Sequence, residues 1–177
     1  MATKSRFFPL FENDVLQMAD SNDRQPLVDI LNAHWVMSLA TLGEDGPYST
    51  PLFYVATNNS QTILFLSDVT SNHIRHISKD PRVGASVYLE TKQVGLIQGV
   101  QLEGVVECPS ENEGKRLMEI YSKAHLNALT KKALSKNTRL YAMQVKRAKL
   151  IDNRVGIGKK HKVWEFGQLY HLQKGFL

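Results

Sequence analysis

The sequence predicts a mainly β, α+β fold: a six-stranded antiparallel barrel with short helical inserts. Three observations carry this expectation. About six segments either alternate apolar and polar residues or run apolar for the length of a strand. Turn residues separate the first of them by only a few positions, as hairpins require. Helical patterns are short and irregularly spaced, and no glycine fingerprint follows a strand, which excludes a doubly wound nucleotide-binding sheet.

Residues 1–24 read as an N-terminal extension in which Phe7, Phe8, Leu10, Phe11, Val15, Leu16 and Met18 need a surface to dock on. Pro26 suits the first turn of a short helix with Leu27, Ile30 and Leu31 inward, and Asn22 and Asp23 are its candidate caps. Trp35–Thr41 reads as a strand, Leu42–Pro47 as a hairpin turn and Tyr48–Ala56 as the returning strand. Asn58 and Asn59 mark the next turn. Ile63–Leu66 is apolar at every position and predicts a strand buried on both faces.

Ser71–Ser78 follows as a short helix with Ile74 and Ile77 inward, closed by Lys79, Asp80 and Pro81. Arg82–Glu90 places Val83, Ala85, Val87 and Leu89 on one strand face. Val94–Glu107 supplies one or two strands in which Gly95, Gly99 and Gly104 mark bulges or bends. Ser110 and Glu113 have capping-box spacing and open a helix with Leu117, Tyr121, Ala124 and Ala128 on one face. Arg139–Ile151 returns to strand, and Lys162–Phe166 adds a short one. The expected organisation is one domain over residues 25–166 with a tail over 167–177.

With 177 residues, 42% hydrophobic and 22% charged, the chain can bury a real core and is not of disordered composition. Cys108 is the single cysteine, so no intrachain disulfide forms; before Pro109 and without a basic neighbour in sequence, it reads as a structural thiol. The apolar cluster Phe7–Phe11 is too short for a signal peptide or membrane span, so a soluble cytoplasmic domain is expected.

The net charge of +5 is unevenly placed. Residues 1–130 carry 10 basic and 15 acidic side chains, whereas 131–162 carry 11 basic side chains against Asp152 alone. Such a segment points to an anionic partner: nucleic acid, a phosphate-bearing small molecule, or an acidic face of the same protein. Tyr141 is the only aromatic within it, and no helix-turn-helix, zinc-finger or RNA-recognition signature appears, so nucleic acid is not expected.

The stretch from Phe65 to His76 carries the most chemistry. A buried strand ends at Ser67 and a helix opens near Ser71, so Ser67, Thr70, Ser71, Asn72 and His73 gather at a helix N-terminus, whose N–H groups and partial positive charge suit a phosphate. The plainer reading is that Ser71 caps the helix. His73 and His76, three apart, could share a metal, but no third ligand has a recognisable spacing and none is expected. Gly156–Trp164 is the second such stretch: either a solvated turn, or a lysine clamp (Lys159, Lys160) with Trp164 as a flat wall for a ring. Lys160 stands where a phosphate-binding P-loop needs Ser or Thr, which excludes that motif.

Between Pro26 and Trp164 the chain resembles the pyridoxamine-phosphate-oxidase-like, FMN-binding split-barrel superfamily, and within it the YhbP-like proteins. The likeness rests on Trp35–Thr41, Tyr48–Tyr54, Phe65–Ser67 with Ser71–His73 and Asp80–Val83, and Leu150–Asn153. Leu96–Gly104 and Asp152–Trp164 resemble signatures of the narrower family. The resemblance implies a homodimer with two FMN sites at its interface. It implies that Ser67, Ser71, Asn72 and His73 hold the phosphate, that Thr50, Pro51 and Leu52 pass beside the ring and ribityl chain, and that Gln98 and Gln101 come from the partner. Lys159 or Lys160 with Trp164 would close the site.

Many flavin-binding relatives carry Lys where this chain has His73 and Arg where it has Thr50. Each charge-assisted phosphate contact contributes roughly 1.5–3 kcal/mol, so weaker FMN binding is expected here. The pyridoxamine-phosphate substrate residues are not recognisable, and vitamin B6 synthesis is not expected. The implied activity is that of a flavin-dependent oxidoreductase or flavin reductase. The alternative is a non-catalytic binding or sensing barrel for haem or another planar anion, with His161 and His171 as candidate iron ligands.

Overall fold

The computed structural model describes residues 21–57, 60–93, 95–124, 135–156 and 161–166. Its first hairpin sets the frame. β1 (Val36–Gly43) and β2 (Gly46–Ala56) pair antiparallel, with Val36 opposite Phe53 and Gly43 opposite Gly46. Only Glu44 and Asp45 remain as the loop, and Gly46 follows at φ 119°, a backbone state that a Cβ resists. Both strands thus run into the stretch predicted as turn, because two residues suffice to reverse the chain.

β1 pairs on its other side with β4 (Arg82–Tyr88), β4 with β5 (Gln98–Glu107), and β5 with β6 (Thr138–Asp152). β6 then pairs with β3 (Thr62–Asp68) and β3 with β2, which closes a ring of six antiparallel strands. The ring is the predicted barrel. A seventh strand, β7 (Val163–Glu165), lies outside it on Arg147–Lys149 of β6. Of the stretch predicted to hold one or two strands, Gln98–Glu107 forms the single strand β5, whose register shifts at Glu103/Gly104; a Cβ on Gly104 would collide with the Gln144 carbonyl.

The closure between β2 and β3 is partial. Only Tyr54–Ala56 of β2 meet Phe65, Leu64 and Ile63 of β3. Gly46–Phe53 pair with β1 alone, while Leu66–Asp68 pair with β6 alone. The barrel is split here. Pro47 and Pro51 lie on this half of β2, where a missing N–H removes no ladder bond on the open side.

The barrel is filled by Met37, Leu39, Ile63, Phe65, Val87, Leu102 and Met143, each at most 2% exposed. Burying a side chain of this size contributes roughly 1.5–3 kcal/mol. α1 (Gln25–Ala33) adds Leu27 and Leu31 to the same core, and Tyr54 Oη donates to the Leu31 carbonyl at 2.8 Å. Pro26 stands in its first turn as predicted, but the cap residue is Arg24 with no side-chain capping bond; Asp23 pairs with Lys162 instead. α3 (Glu111–Ala124) covers the outer face of β3 and β6 through Leu117 and Tyr121 against Leu64, Leu140 and Ala142. β3 is therefore buried on both faces, as its unbroken apolar run predicts. Asn58, Asn59, Ala128, most of the N-terminal extension and residues 167–177 lie outside the described residues.

Candidate functional site

β3 ends beside the split, and Asp68 turns the chain there. Its carboxylate accepts from the Thr70 N–H at 2.9 Å, the Thr70 hydroxyl at 2.7 Å and the Ser135 hydroxyl at 2.9 Å. Those contacts hold it below the usual carboxylate range, those from Thr70 first. The turn delivers Ser71 to the start of α2 (Asn72–Lys79). Ser67 Oγ then lies 2.6 Å from His73 Nε2 and 3.1 Å from Ser71 Oγ, while Ser71 Oγ is 3.2 Å from the same nitrogen.

Two hydroxyls and one imidazole thus converge at the positive end of a helix. Ser71 occupies the cap position, but its hydroxyl donates to the Asp68 carbonyl at 2.8 Å and makes no capping bond. The capping position is as the plain reading has it, but without the side-chain bond that reading implies. Ser67 and His73 are 8% and 7% exposed. Burial, with a smaller contribution from His76, pushes the His73 imidazole below its ordinary range and so disfavours its charged form. A hydroxyl–imidazole pair is also half of a nucleophile–base arrangement, but among the described residues no carboxylate bonds to His73 to orient it. Binding an oxyanion is the chemistry the group favours.

His76 is turned elsewhere. Its Nδ1 is 3.0 Å from Thr41 Oγ1, and Tyr48 packs edge-on at 5.4 Å. Among the described residues no group of three His, Cys, Asp or Glu side chains is placed to hold a metal. Asn72 is exposed, and its side-chain oxygen accepts from the Arg75 guanidinium.

On β2, alternation turns Thr50 and Leu52 toward the barrel, Leu52 against its core, and Pro51 outward. Pro51 begins a cross-strand row through Ser38, Ser86 and Gln101 to Lys149. Three strand spacings of about 4.8 Å separate Pro51 from Gln101, roughly 14 Å, so the two lie on well-separated strands of the same barrel face. Gln98 opens β5 opposite Asp152, and its amide oxygen, turned that way, accepts from Arg154. Arg154 was missed by sequence reasoning. It forms a two-residue clamp with Asp152, Nη2 to Oδ2 at 2.6 Å, repeating the pair that Arg82 makes with Asp80.

Trp164 requires a correction. It is 1% exposed within the barrel core, its Nε1 donates to the Asp23 carbonyl at 3.3 Å, and Lys162 covers its ring. It offers no open face to a ligand. Lys159, Lys160 and His171 lie outside the described residues, and His161 is half-buried. A cavity of about 670 Å³ between α3 and the start of β6 is lined by Cys108, Met118, Leu140 and Arg139 and contains none of the predicted site residues. Burial pushes the Cys108 thiol up, in keeping with a structural role.

A six-stranded barrel split at one seam, with hydroxyls and an imidazole at a helix start beside the seam, defines the ligand-binding split-barrel class. The family model described as pyridoxamine 5'-phosphate oxidase matches residues 24–152, and the chain belongs to that family. A curated relative, a "UPF0306 protein" of Cronobacter sakazakii, is 31% identical over 112 residues, 63% of this chain and 74% of the relative. The fold is similar to a heme binding protein from Mycobacterium smegmatis (TM-score 0.63, 20% identity), with 80% of this chain covered but only 57% of that one. It is also similar to a FAD-binding protein from Mesorhizobium loti (TM-score 0.54, 17% identity, 69% and 87% covered). Among the described residues no helix is long and apolar enough to cross a membrane.

Proposed function

We propose that the protein is a homodimer that binds FMN in the split of the barrel and serves as a flavin-dependent oxidoreductase or flavin reductase. The observation that carries this reading is the convergence of Ser67, Ser71 and His73 on the start of α2, beside the open half of β2. The donor set fits a phosphate monoester: two hydroxyls, an imidazole nitrogen and helix N–H groups, with no carboxylate among the described residues bonded to the imidazole. Main-chain groups of Ser49–Leu52, unpaired on the split side, are donors and acceptors for a ring lying along the strand. Lys159 and Lys160 belong to the proposal as further cations. FMN, when bound, supplies the electron-transfer chemistry; the protein binds it, orients it and excludes water.

The barrel's outer face supports the dimer. Phe53 and Tyr88 are 62% and 58% exposed, and Val36, opposite Phe53, is also exposed. Beside them run two rows of mostly small residues on the strands β2, β1 and β4: Pro51, Ser38 and Ser86, then Ser49, Ala40 and Gly84. A flat face with an apolar end suits a second copy, which would bring its own Gln101 to the first copy's β2. The direct test is an absorption spectrum of the purified protein before and after adding FMN. A second reading, a haem-binding barrel, is favoured by the likeness to the M. smegmatis heme binding protein. A Soret shift on haem titration that disappears in His161→Ala or His171→Ala would select it.

A further inference from the structure

We propose that His73 couples phosphate binding to proton uptake, so that preference for FMN over phosphate-free riboflavin is set by this residue and weakens as pH rises. The inference rests on the flavin-phosphate reading above and extends it to selectivity and pH response.

Among the described residues, His73 is the one titratable side chain in the hydroxyl cluster, and it is almost wholly buried. A buried imidazole is strongly disfavoured in its charged form unless an anion compensates it. The charged groups around it do not supply that compensation. On α2, His76 is turned toward Thr41 and its charge would only disfavour a proton on His73, while Arg75 is held by Asn72. At the end of β3, Asp68 is engaged with Thr70 and Ser135. On β6, Arg139 stands opposite Ser67 and donates to the carbonyls of Lys136 and Thr138. β1 contributes the hydroxyl of Thr41, spent on His76.

A phosphate dianion arriving at Ser67 and Ser71 is therefore the strongest stabiliser of an imidazolium at this position. Its charge raises the proton affinity of Nε2, and by linkage the proton raises the affinity for the dianion. Riboflavin offers a neutral hydroxyl at the corresponding end and produces no such coupling. A lysine at this place would be charged at all relevant pH values and would bind the phosphate without proton exchange.

The test uses the full chain, with FMN and riboflavin titrated between pH 6.5 and 8.5, where the free phosphate is mostly dianionic. FMN affinity is expected to fall by roughly tenfold across this range, with riboflavin affinity nearly flat. Calorimetry of the unaltered protein, in two buffers of different ionisation enthalpy, should show net proton uptake of up to one with FMN and none with riboflavin. His73→Lys should bind FMN with little pH dependence, and His73→Gln should bind it weakly at every pH. FMN binding with no proton uptake and a flat pH profile would overturn the coupling while leaving the flavin reading in place. The same profile persisting in His73→Gln would also overturn it. Failure to bind FMN at any pH would remove the flavin reading, and the coupling with it.

Discussion

Gly43 and His76 share one space. A Cβ on Gly43 would fall 2.6 Å from Nε2 of His76 and 2.8 Å from its Cε1, and the same imidazole is bonded through Nδ1 to Thr41. The bare glycine at the end of β1 is what lets α2 lie close across the hairpin and present its N-terminus at the split. Gly43→Ala should displace the imidazole and lose the Thr41 bond, costing about 1–3 kcal/mol in a denaturant titration. In the His76→Ala background the same change should cost much less; equal costs in both backgrounds would contradict the packing described.

Ser67→Ala removes the hydroxyl at 2.6 Å from His73 and leaves Ser71 at 3.2 Å. The barrel should persist with about 1 kcal/mol of lost stability, because Ser71 can still satisfy the ring. FMN affinity should fall by roughly tenfold, the worth of about 1.4 kcal/mol. Fluorescence titration with FMN, beside a thermal melt, separates the two effects. Unchanged affinity would remove Ser67 from the site.

The buried His73 also gives the free protein a pH signature. Its folded-state proton affinity lies below the ordinary value of 6.5, with burial as the first cause. The unfolded chain therefore binds more protons as pH falls below 6.5, and the folded state loses stability there. Above that pH the stabilisation is fully present. Chemical denaturation from pH 7.5 to 5.5 should show a decline that is much reduced in His73→Gln. Saturating FMN should oppose it, since the bound dianion favours the imidazolium.

The outer face supplies a separate prediction. Phe53 and Tyr88 stand out from the barrel and are 62% and 58% exposed. Phe53→Asp should convert a dimer into a monomer in sedimentation equilibrium with little loss of single-chain fold, because the side chain is outside the core. FMN affinity should fall in step if Gln101 of a second copy completes the site. A wild-type chain that sediments as a monomer at micromolar concentration would contradict the dimer.

The barrel was legible because its determinants are local or periodic. The unbroken run at Ile63–Leu66, the alternation in Val83–Val87 and the Glu44-Asp45 reversal each have one cheap structural solution. The Ser67–Ser71–His73 cluster was also legible, since a strand end and a helix start six residues apart can only meet. Trp164 was misread: glycines and lysines suggested an open clamp, and nothing in a short strand tells which face of β7 meets the core. The basic segment was only partly legible as well. Among the described residues, several of its cations are engaged within the chain: Arg147 on Glu103 and Glu165, Arg154 on Asp152, Lys162 on Asp23, and Arg139 on main-chain carbonyls. Those partners come together only through β5–β6 and β6–β7 pairing and the packing of β7 on the start of α1. No window of sequence displays such long-range register.

The central claim is that the split of this barrel holds FMN by its phosphate through Ser67, Ser71 and His73. The most direct measurement is the visible absorption spectrum of freshly purified protein, followed by FMN titration and equilibrium dialysis near pH 6.5. A yellow protein, or a colourless one that retains FMN at micromolar concentration and loses it in the Ser67→Ala, Ser71→Ala double variant, is the predicted result. A colourless protein that retains no FMN, or one whose FMN binding is untouched by that double variant, would contradict it.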